Sequence, residues 1–245
     1  MNTVLVTGAF GQLGTELQLL TAGKPGFLFT DIREEGLVQR LDICDSAAVE
    51  RFVVQNNVGA IINCAAYTDV NRAESDRQRC YAINVEGPAN LARSAHRHDA
   101  VLVQISTDYV FDGKRKSGIP YAESSRRHPL SVYGESKRAC EDAIRRISCR
   151  GVILRTAWLY SPFGKNFVKT MLRLGSEKPE IGVVADQFGT PPTPVTSHRP
   201  SWPFFPKSVT AAARFTIIPT KDPAPGQNSL HGSCRKPACR AASIP

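Results

Sequence analysis

The sequence predicts a doubly wound α/β fold, a parallel sheet with helices on both faces. Three observations predict it. Short β-branched apolar runs alternate with segments of helical period through residues 1–190. The runs are continuously apolar, as strands covered on both faces are. Gly8, Gly11 and Gly14 fall between the first strand and the first helix, where such sheets bind phosphate-bearing ligands.

The elements follow in order. Asn2-Thr-Val-Leu-Val-Thr7 is the first strand, and Leu13, Leu17 and Leu20 give residues 11–22 a helical face. Phe27-Leu-Phe-Thr-Asp31 is the second strand. A further short apolar element precedes Asp42-Ile43, and Ser46 opens a helix carrying Val49, Phe52 and Val53. Ala60-Ile-Ile-Asn-Cys64 is the next strand. Residues 75–97 read as one long helix, bent or split at Pro88. Val101-Leu-Val-Gln-Ile105 and Gly151-Val-Ile-Leu-Arg155 are strands on either side of a helix over 131–147. The organisation predicted is a dinucleotide-binding domain over 1–160, the start of a small, incomplete substrate-binding lobe over 161–191, and a tail over 192–245.

The net charge of +9 is unevenly spread. From Pro191 to Pro245 there are seven Lys/Arg and one acid, and 11 of the 17 prolines lie there. Such a segment predicts a basic, disordered tail. It has no aromatic ladder or Arg-rich motif, so nucleic acid is not the expected partner. No run of 18 apolar residues predicts a membrane span, and the N-terminus has no basic leader. Seven cysteines, an odd number without zinc-like spacing, predict free thiols in a reducing cytoplasm.

The glycine loop lets backbone approach a pyrophosphate at a helix N-terminus, so Gly8, Gly11, Gln12, Leu13 and Gly14 are candidate cofactor residues. Asp31, 23 residues after Gly8, suits ribose hydroxyls and favours NAD, or else caps a turn. Arg33 suits a 2′-phosphate, so NADPH and NADH both stand. Asp42 and Ile43 could flank the adenine, and the small Ala65 and Ala66 could let the cofactor pass. Tyr133 and Lys137 share one helix face at i and i+4, and Thr107 stands at a strand's carboxyl end. Lys137 and the nicotinamide charge are expected to lower the phenol's pKa, making Tyr133 the proton donor to a carbonyl held by Thr107. Lys137 is also placed to hold the nicotinamide ribose, and hydride from the cofactor makes a metal unnecessary.

The segments Asn63-Cys-Ala-Ala-Tyr-Thr-Asp-Val70, Ala82-Ile-Asn-Val85, Ser106-Thr-Asp-Tyr-Val-Phe-Asp-Gly113, Val132-Tyr-Gly-Glu-Ser-Lys137, Leu154-Arg-Thr-Ala-Trp-Leu-Tyr160 and Val184-Ala-Asp-Gln-Phe-Gly-Thr-Pro191 resemble the dTDP-4-dehydrorhamnose reductase family. These are extended short-chain dehydrogenase/reductases with a Rossmann-type sheet. The resemblance implies reduction of the 4-keto group of dTDP-4-dehydro-L-rhamnose. It implies cofactor contacts through Tyr67, and contacts of Thr107, Asp108 and Trp158 with the dTDP-sugar. It also implies a possible homodimer with Mg²⁺ at the interface. Glu16 could be one ligand, but the other acids would lie beyond residue 191, and no metal is predicted. Two other readings share the apparatus. One is an NADP-binding regulatory subunit like the beta subunit of methionine adenosyltransferase, and the other a sugar-nucleotide epimerase or dehydratase. The intact Thr107, Tyr133 and Lys137 favour an enzyme, and Trp158 with D-Q-F-G-T-P favours the reductase.

Beyond Pro191 the family pattern stops. Codons read one base out of register from Pro191/Pro192 permit T-Y-A-G-D-L-A-Q-A, and from Ala224 to Leu230 permit T-W-A-E-F-A. Both resemble the family's continuation, so a lost nucleotide near the Pro192 codon is the expectation. The alternative is a genuine basic tail for an acidic partner.

Overall fold

A computed structural model describes residues 3–115 and 119–183 of the chain, with the backbone of 216–219. The strands are β1 (Thr3–Thr7), β2 (Phe27–Asp31), β3 (Val38–Arg40), β4 (Val58–Asn63), β5 (Val101–Thr107), β6 (Gly151–Thr156) and β7 (Thr216–Pro219). They form one sheet in the order β3-β2-β1-β4-β5-β6-β7. The first six are parallel, and the order reverses between β1 and β4, where Rossmann-type sheets bind their ligands.

Alternation along the strands sorts side chains to two faces. Leu5, Ile61, Leu102 and Ile153 pack with Val49, Leu91 and Ile144 in one core. Val6 and Ile62 point the other way, onto Leu17. Helices α2 (Ser46–Gln55), α5 (Gly87–Arg97) and α6 (Val132–Ile147) cover the first face, and α1 (Gln12–Leu20) covers the second. The carboxyl halves of β1 and β4 are thereby buried on both sides, whereas β5 alternates buried with half-buried positions and β2 is mostly half-buried.

The segment predicted as one long helix is preceded by a short α3 (Val70–Ala73). It then runs unbroken as α4 (Arg77–Tyr81), a π-helical turn (Ala82–Glu86) and α5. Pro88 therefore does not split it. A proline has no N–H to return to Asn84, and its ring crowds that carbonyl, so the helix widens for one turn instead.

The tail departs from expectation in one place. Thr216–Pro219 lies antiparallel on β6. Thr-Ile-Ile is a β-branched run, and proline is tolerated on an edge strand. The rest of 192–245, the segment 184–191, Cys234 and Cys239 lie outside the described residues. No side chain of helix α7 (Phe167–Glu177) is fully buried, and only Thr170, Met171 and Leu174 are half-buried. No helix among the described residues is long and apolar enough to cross a membrane.

Candidate active site

The carboxyl ends of β1, β4 and β5 carry a row of polar side chains that the register places side by side. Thr7 Oγ1 donates to Asn63 Oδ1 at 2.6 Å, Asn63 Nδ2 to Gln104 Oε1 at 2.7 Å, and Gln104 Nε2 to the Ile105 carbonyl at 2.8 Å. All three side chains are buried. The row fixes the strand ends on which the glycine loop and Thr107 stand.

The glycine loop follows β1. Gly8 has φ +70°, and a Cβ there would lie 2.5 Å from the Ala65 nitrogen. A Cβ on Gly14 would lie 2.2 Å from the Gly8 carbonyl oxygen. Both glycines are thus required by packing within the chain. Gly11 differs, because its Cβ would meet only the Gly8 oxygen, at 3.2 Å. It is the N-cap of α1, which has no side-chain cap and no acid in its first turn. Loop and helix start fit the pyrophosphate of a dinucleotide. The Leu13 side chain packs in the core, which leaves its backbone for that role. Gln12 Oε1 accepts from Asn166 Nδ2 at 3.1 Å, and Glu16 Oε1 accepts from Ser161 Oγ at 2.8 Å. Residues 161–166 therefore close onto α1, a contact that no local pattern signals. Among the described residues no three His, Cys, Asp or Glu group as a metal site.

Asp31 is tied to this loop, its Oδ2 accepting from the Phe10 N–H at 3.0 Å. The Arg33 guanidinium lies 5.0 Å from the Phe10 ring centroid. Both candidate ribose-recognising groups thus flank one residue. The Asp42 side chain is exposed and accepts from the Cys44 N–H. The Ile43 side chain is buried in the core over Gly87, and its carbonyl accepts from Asn90 Nδ2. Ala65 and Ala66 are half-buried beside Gly8.

Tyr67 is held by Asn84, a residue that residue-by-residue reasoning passed over. Asn84 Oδ1 accepts from the Tyr67 N–H at 2.8 Å, and its Nδ2 donates to the Tyr67 carbonyl and to Ser136 Oγ, both at 3.0 Å. Ser136 Oγ donates to the Tyr133 carbonyl. The π turn, where functional side chains are often re-aimed, thus joins the loop after β4 to α6. The signal available was Asn84 followed by Pro88 at i+4.

Ser131 caps α6, its Oγ accepting from the Gly134 N–H. Tyr133 and Lys137 then project from one face toward the end of β5. The Lys137 side chain is almost fully buried, and its Nζ donates to the Ile105 carbonyl at 2.7 Å. Burial lowers its pKa. For Tyr133 the expected depression is not found in the protein alone. Burial pushes the phenol up to about 12, and the Thr107 hydroxyl opposes this. Lys137 Nζ is engaged by the Ile105 carbonyl. The Tyr109 ring packs edge-on to Tyr133, centroids 5.6 Å apart. Thr107 Oγ1 donates to Asp108 Oδ1 at 3.1 Å, and burial raises the Asp108 pKa. Thr156 Oγ1, paired in register with Thr107, is buried without a hydrogen-bond partner among the described residues. Trp158 follows with φ +52° and is 42% exposed. A left-handed backbone at a bulky residue is strained, and here it holds an indole outward.

The structure thus gathers Thr107, Asp108, Tyr133 and Lys137 at the end of β5. The glycine loop and Asp31 lie at the ends of β1 and β2. Cys44, Cys64, Cys80 and Cys140 are free thiols.

Comparison with known proteins gives concordant findings. Residues 1–198 match the family described as RmlD substrate binding domain. The dTDP-4-dehydrorhamnose reductase of Aggregatibacter actinomycetemcomitans is 44% identical over 193 residues, covering 78% of this chain and 63% of that protein. A crystal structure of a dTDP-4-dehydrorhamnose reductase from Clostridium acetobutylicum superposes with TM-score 0.69 at 42% identity, covering 76% of this chain and 63% of the other. One from Bacillus anthracis, solved in complex with NADP, gives TM-score 0.67 at 42% identity, covering 76% and 64%. The chain spans about six tenths of the length of the curated relatives it matches.

Proposed function

The chain belongs to the family described as RmlD substrate binding domain, and on that premise we propose that its active site reduces the 4-keto group of dTDP-4-dehydro-L-rhamnose to dTDP-L-rhamnose. The observation that carries the reading is the convergence of Thr107, Tyr133 and Lys137 at the end of β5, beside a glycine loop whose outward-facing position is Gly11. NADPH or NADH, when bound, supplies the hydride. Gly11 and the first turn of α1 would hold its pyrophosphate. Asp31 or Arg33 would meet its adenosine ribose, and Asp42, Ala65, Ala66 and Tyr67 would border its path.

The chain's own residues handle the proton. A phenol with a pKa of about 12 is fully protonated at neutral pH, so Tyr133 arrives as a loaded acid. Thr107 turns its one hydroxyl proton from Asp108 to the substrate's carbonyl oxygen and keeps that oxygen within reach of the phenol. Once the phenolic proton has moved, the same hydroxyl can turn to the phenolate and ease its formation. Lys137, held by the Ile105 carbonyl, is a fixed ammonium for the nicotinamide ribose. Trp158 offers an exposed aromatic face for the sugar nucleotide, with Asp108 beside Thr107.

We assign the dinucleotide domain to residues 1–160 and the start of the substrate lobe to 161–191. Unburied α7, with Phe167 and Leu172 exposed, supports a lobe that needs more chain to cover it. The family match ends at residue 198, close to the change in charge and proline content, and this supports the shifted reading frame beyond Pro191. The test is nicotinamide oxidation followed at saturating dTDP-4-dehydro-L-rhamnose. The assay uses this chain beside a frame-restored version. Turnover with dTDP-4-dehydro-L-rhamnose but not with UDP-4-keto sugars is expected. Failure of the frame-restored version to turn over would refute the assignment.

A further inference from the structure

Beside α6 lies a cavity of about 390 Å³ that no residue of the glycine loop lines and that the proposed reaction does not use. The loop before α6 supplies Arg126 and Arg127, α6 supplies Arg138 and Arg145, and β6 supplies Arg155. Positions 138, 142 and 145 fall on one helix face. Only two carboxylates, Glu123 and Asp142, line the same cavity, so five guanidinium groups outnumber them.

The pairing inside the cavity is incomplete. Arg127 is satisfied, by Glu141 at 3.1 Å and Asp142 at 2.6 Å, and Arg155 is held by Glu141. Arg138 reaches Asp142 only at 3.9 Å, with both side chains well exposed, a pair of little strength. Arg126 and Arg145 make no ion pair among the described residues. Two unpaired arginines and the weakly paired Arg138 therefore stand around one concavity, joined by the hydroxyl of Ser124. Concentrated guanidinium forks over a polar cavity match phosphate oxygens bidentately. The described lining contains no aromatic side chain to stack on a base.

We propose that this cavity is a second anion site, which binds the phosphate chain of a di- or triphosphate independently of the dinucleotide loop. Its recognition is of phosphate alone, so nucleoside and inorganic triphosphates bind alike.

The test is calorimetric titration of the full chain with inorganic triphosphate at low salt, in the presence of saturating NADPH to fill the glycine loop. The comparison is the double variant Arg138→Gln/Arg145→Gln. Both side chains are exposed, so circular dichroism should be unchanged. Arg127 and Arg155 are left intact because they belong to the buried pair with Glu141. The expected result is one binding event, weakened about tenfold or more in the double variant, with NADPH affinity unaltered. ATP should bind within about threefold of triphosphate, since a difference of that size is less than one hydrogen bond contributes. Absence of binding, or equal binding by the double variant, would overturn the site and place any affinity elsewhere, in the glycine loop or the basic tail. ATP preferred by more than about tenfold would overturn phosphate-only recognition. A single-stranded RNA bound more tightly than triphosphate, with the same loss in the double variant, would overturn the small-anion assignment.

Discussion

Glu141 and Arg155 form a bidentate ion pair. Arg155 Nε donates to Oε1 at 2.8 Å and Nη2 to Oε2 at 2.6 Å, with the side chains 0% and 3% exposed. Ser106 Oγ donates to Oε1 as well, and Arg127 Nη1 to Oε2. One carboxylate, a turn beyond Lys137 on α6, therefore ties together β5, β6, α6 and the loop before it. Arg155 is covered on one side by the Phe111 ring, 5.0 Å from its centroid.

Removing one member of such a pair leaves a buried charge. Glu141→Ala is expected to cost about 3–5 kcal/mol, read as a lowered urea midpoint. Glu141→Gln keeps an acceptor and should lose less. Burial alone would raise the Glu141 pKa, and the Arg155 bonds and charge overturn this and hold it below the ordinary value. The pair's stabilisation is therefore present above the ordinary carboxylate range and lost as pH falls through the depressed folded value. A Glu141→Ala protein as stable as the wild type would contradict the pairing.

Tyr133→Phe removes the phenolic proton and little else, because the edge-on contact with Tyr109 survives. In the frame-restored protein kcat should fall about 10²–10⁴-fold with cofactor affinity nearly unchanged. Near-native turnover would remove Tyr133 from the proton path.

Asp31 needs a finer probe than alanine, because its carboxylate also caps the Phe10 N–H. Asp31→Asn keeps an acceptor there and removes the charge that repels a 2′-phosphate beside Arg33. NADH binding should weaken relative to NADPH binding, measured by fluorescence titration of both. Equal losses would show Asp31 to be purely a loop cap.

Glu50 is set among Arg97, His98 and Ser94, and chiefly the Arg97 hydrogen bond lowers its pKa from 4.5 to about 2. Its contribution is present above pH 4.5 and lost as pH falls toward 2. The cluster is partly solvated, so Glu50→Gln should cost no more than about 1 kcal/mol at neutral pH. The difference in Tm between the two proteins should close on acidification, and a gap that widens would reverse the sign of this argument.

The sheet was legible because its signals are local. Apolar runs ending at Thr7, Asp31, Cys64 and Ile105 mark the strands to within two residues of their ends, and the glycine spacing marks the switch point. Tyr133 and Lys137 were legible through their i, i+4 spacing on a capped helix. The Thr7–Asn63–Gln104 row was not, because it depends on strand register across 97 positions of sequence. The closure of Ser161 and Asn166 onto α1 spans 145 and 154 positions. The rise in the Tyr133 pKa was missed for a physical reason. Charge–charge proximity was inferred from helix spacing, whereas burial dominates and Lys137 is turned to a backbone carbonyl.

The six parallel strands and the core about Leu5, Ile61 and Leu102 are complete before residue 160, and both faces of the sheet carry helices. Those elements hold the glycine loop, Asp31, Tyr133 and Lys137, so NADPH or NADH should bind with a measurable affinity. Catalysis demands more, because the sugar nucleotide must be held with its carbonyl within reach of Thr107 and Tyr133. Trp158, Phe167 and Leu172 are exposed, and no side chain of α7 is fully buried. Loss of positioning alone can remove many orders of magnitude in rate. Turnover of dTDP-4-dehydro-L-rhamnose by this chain should therefore be at least about 100-fold below that of the frame-restored protein, at equal cofactor saturation. Stopped-flow binding of NADPH and steady-state turnover, measured on the two proteins side by side, separate the two functions. Equal turnover would show that the segment after Pro191, including β7, completes the substrate lobe as it stands.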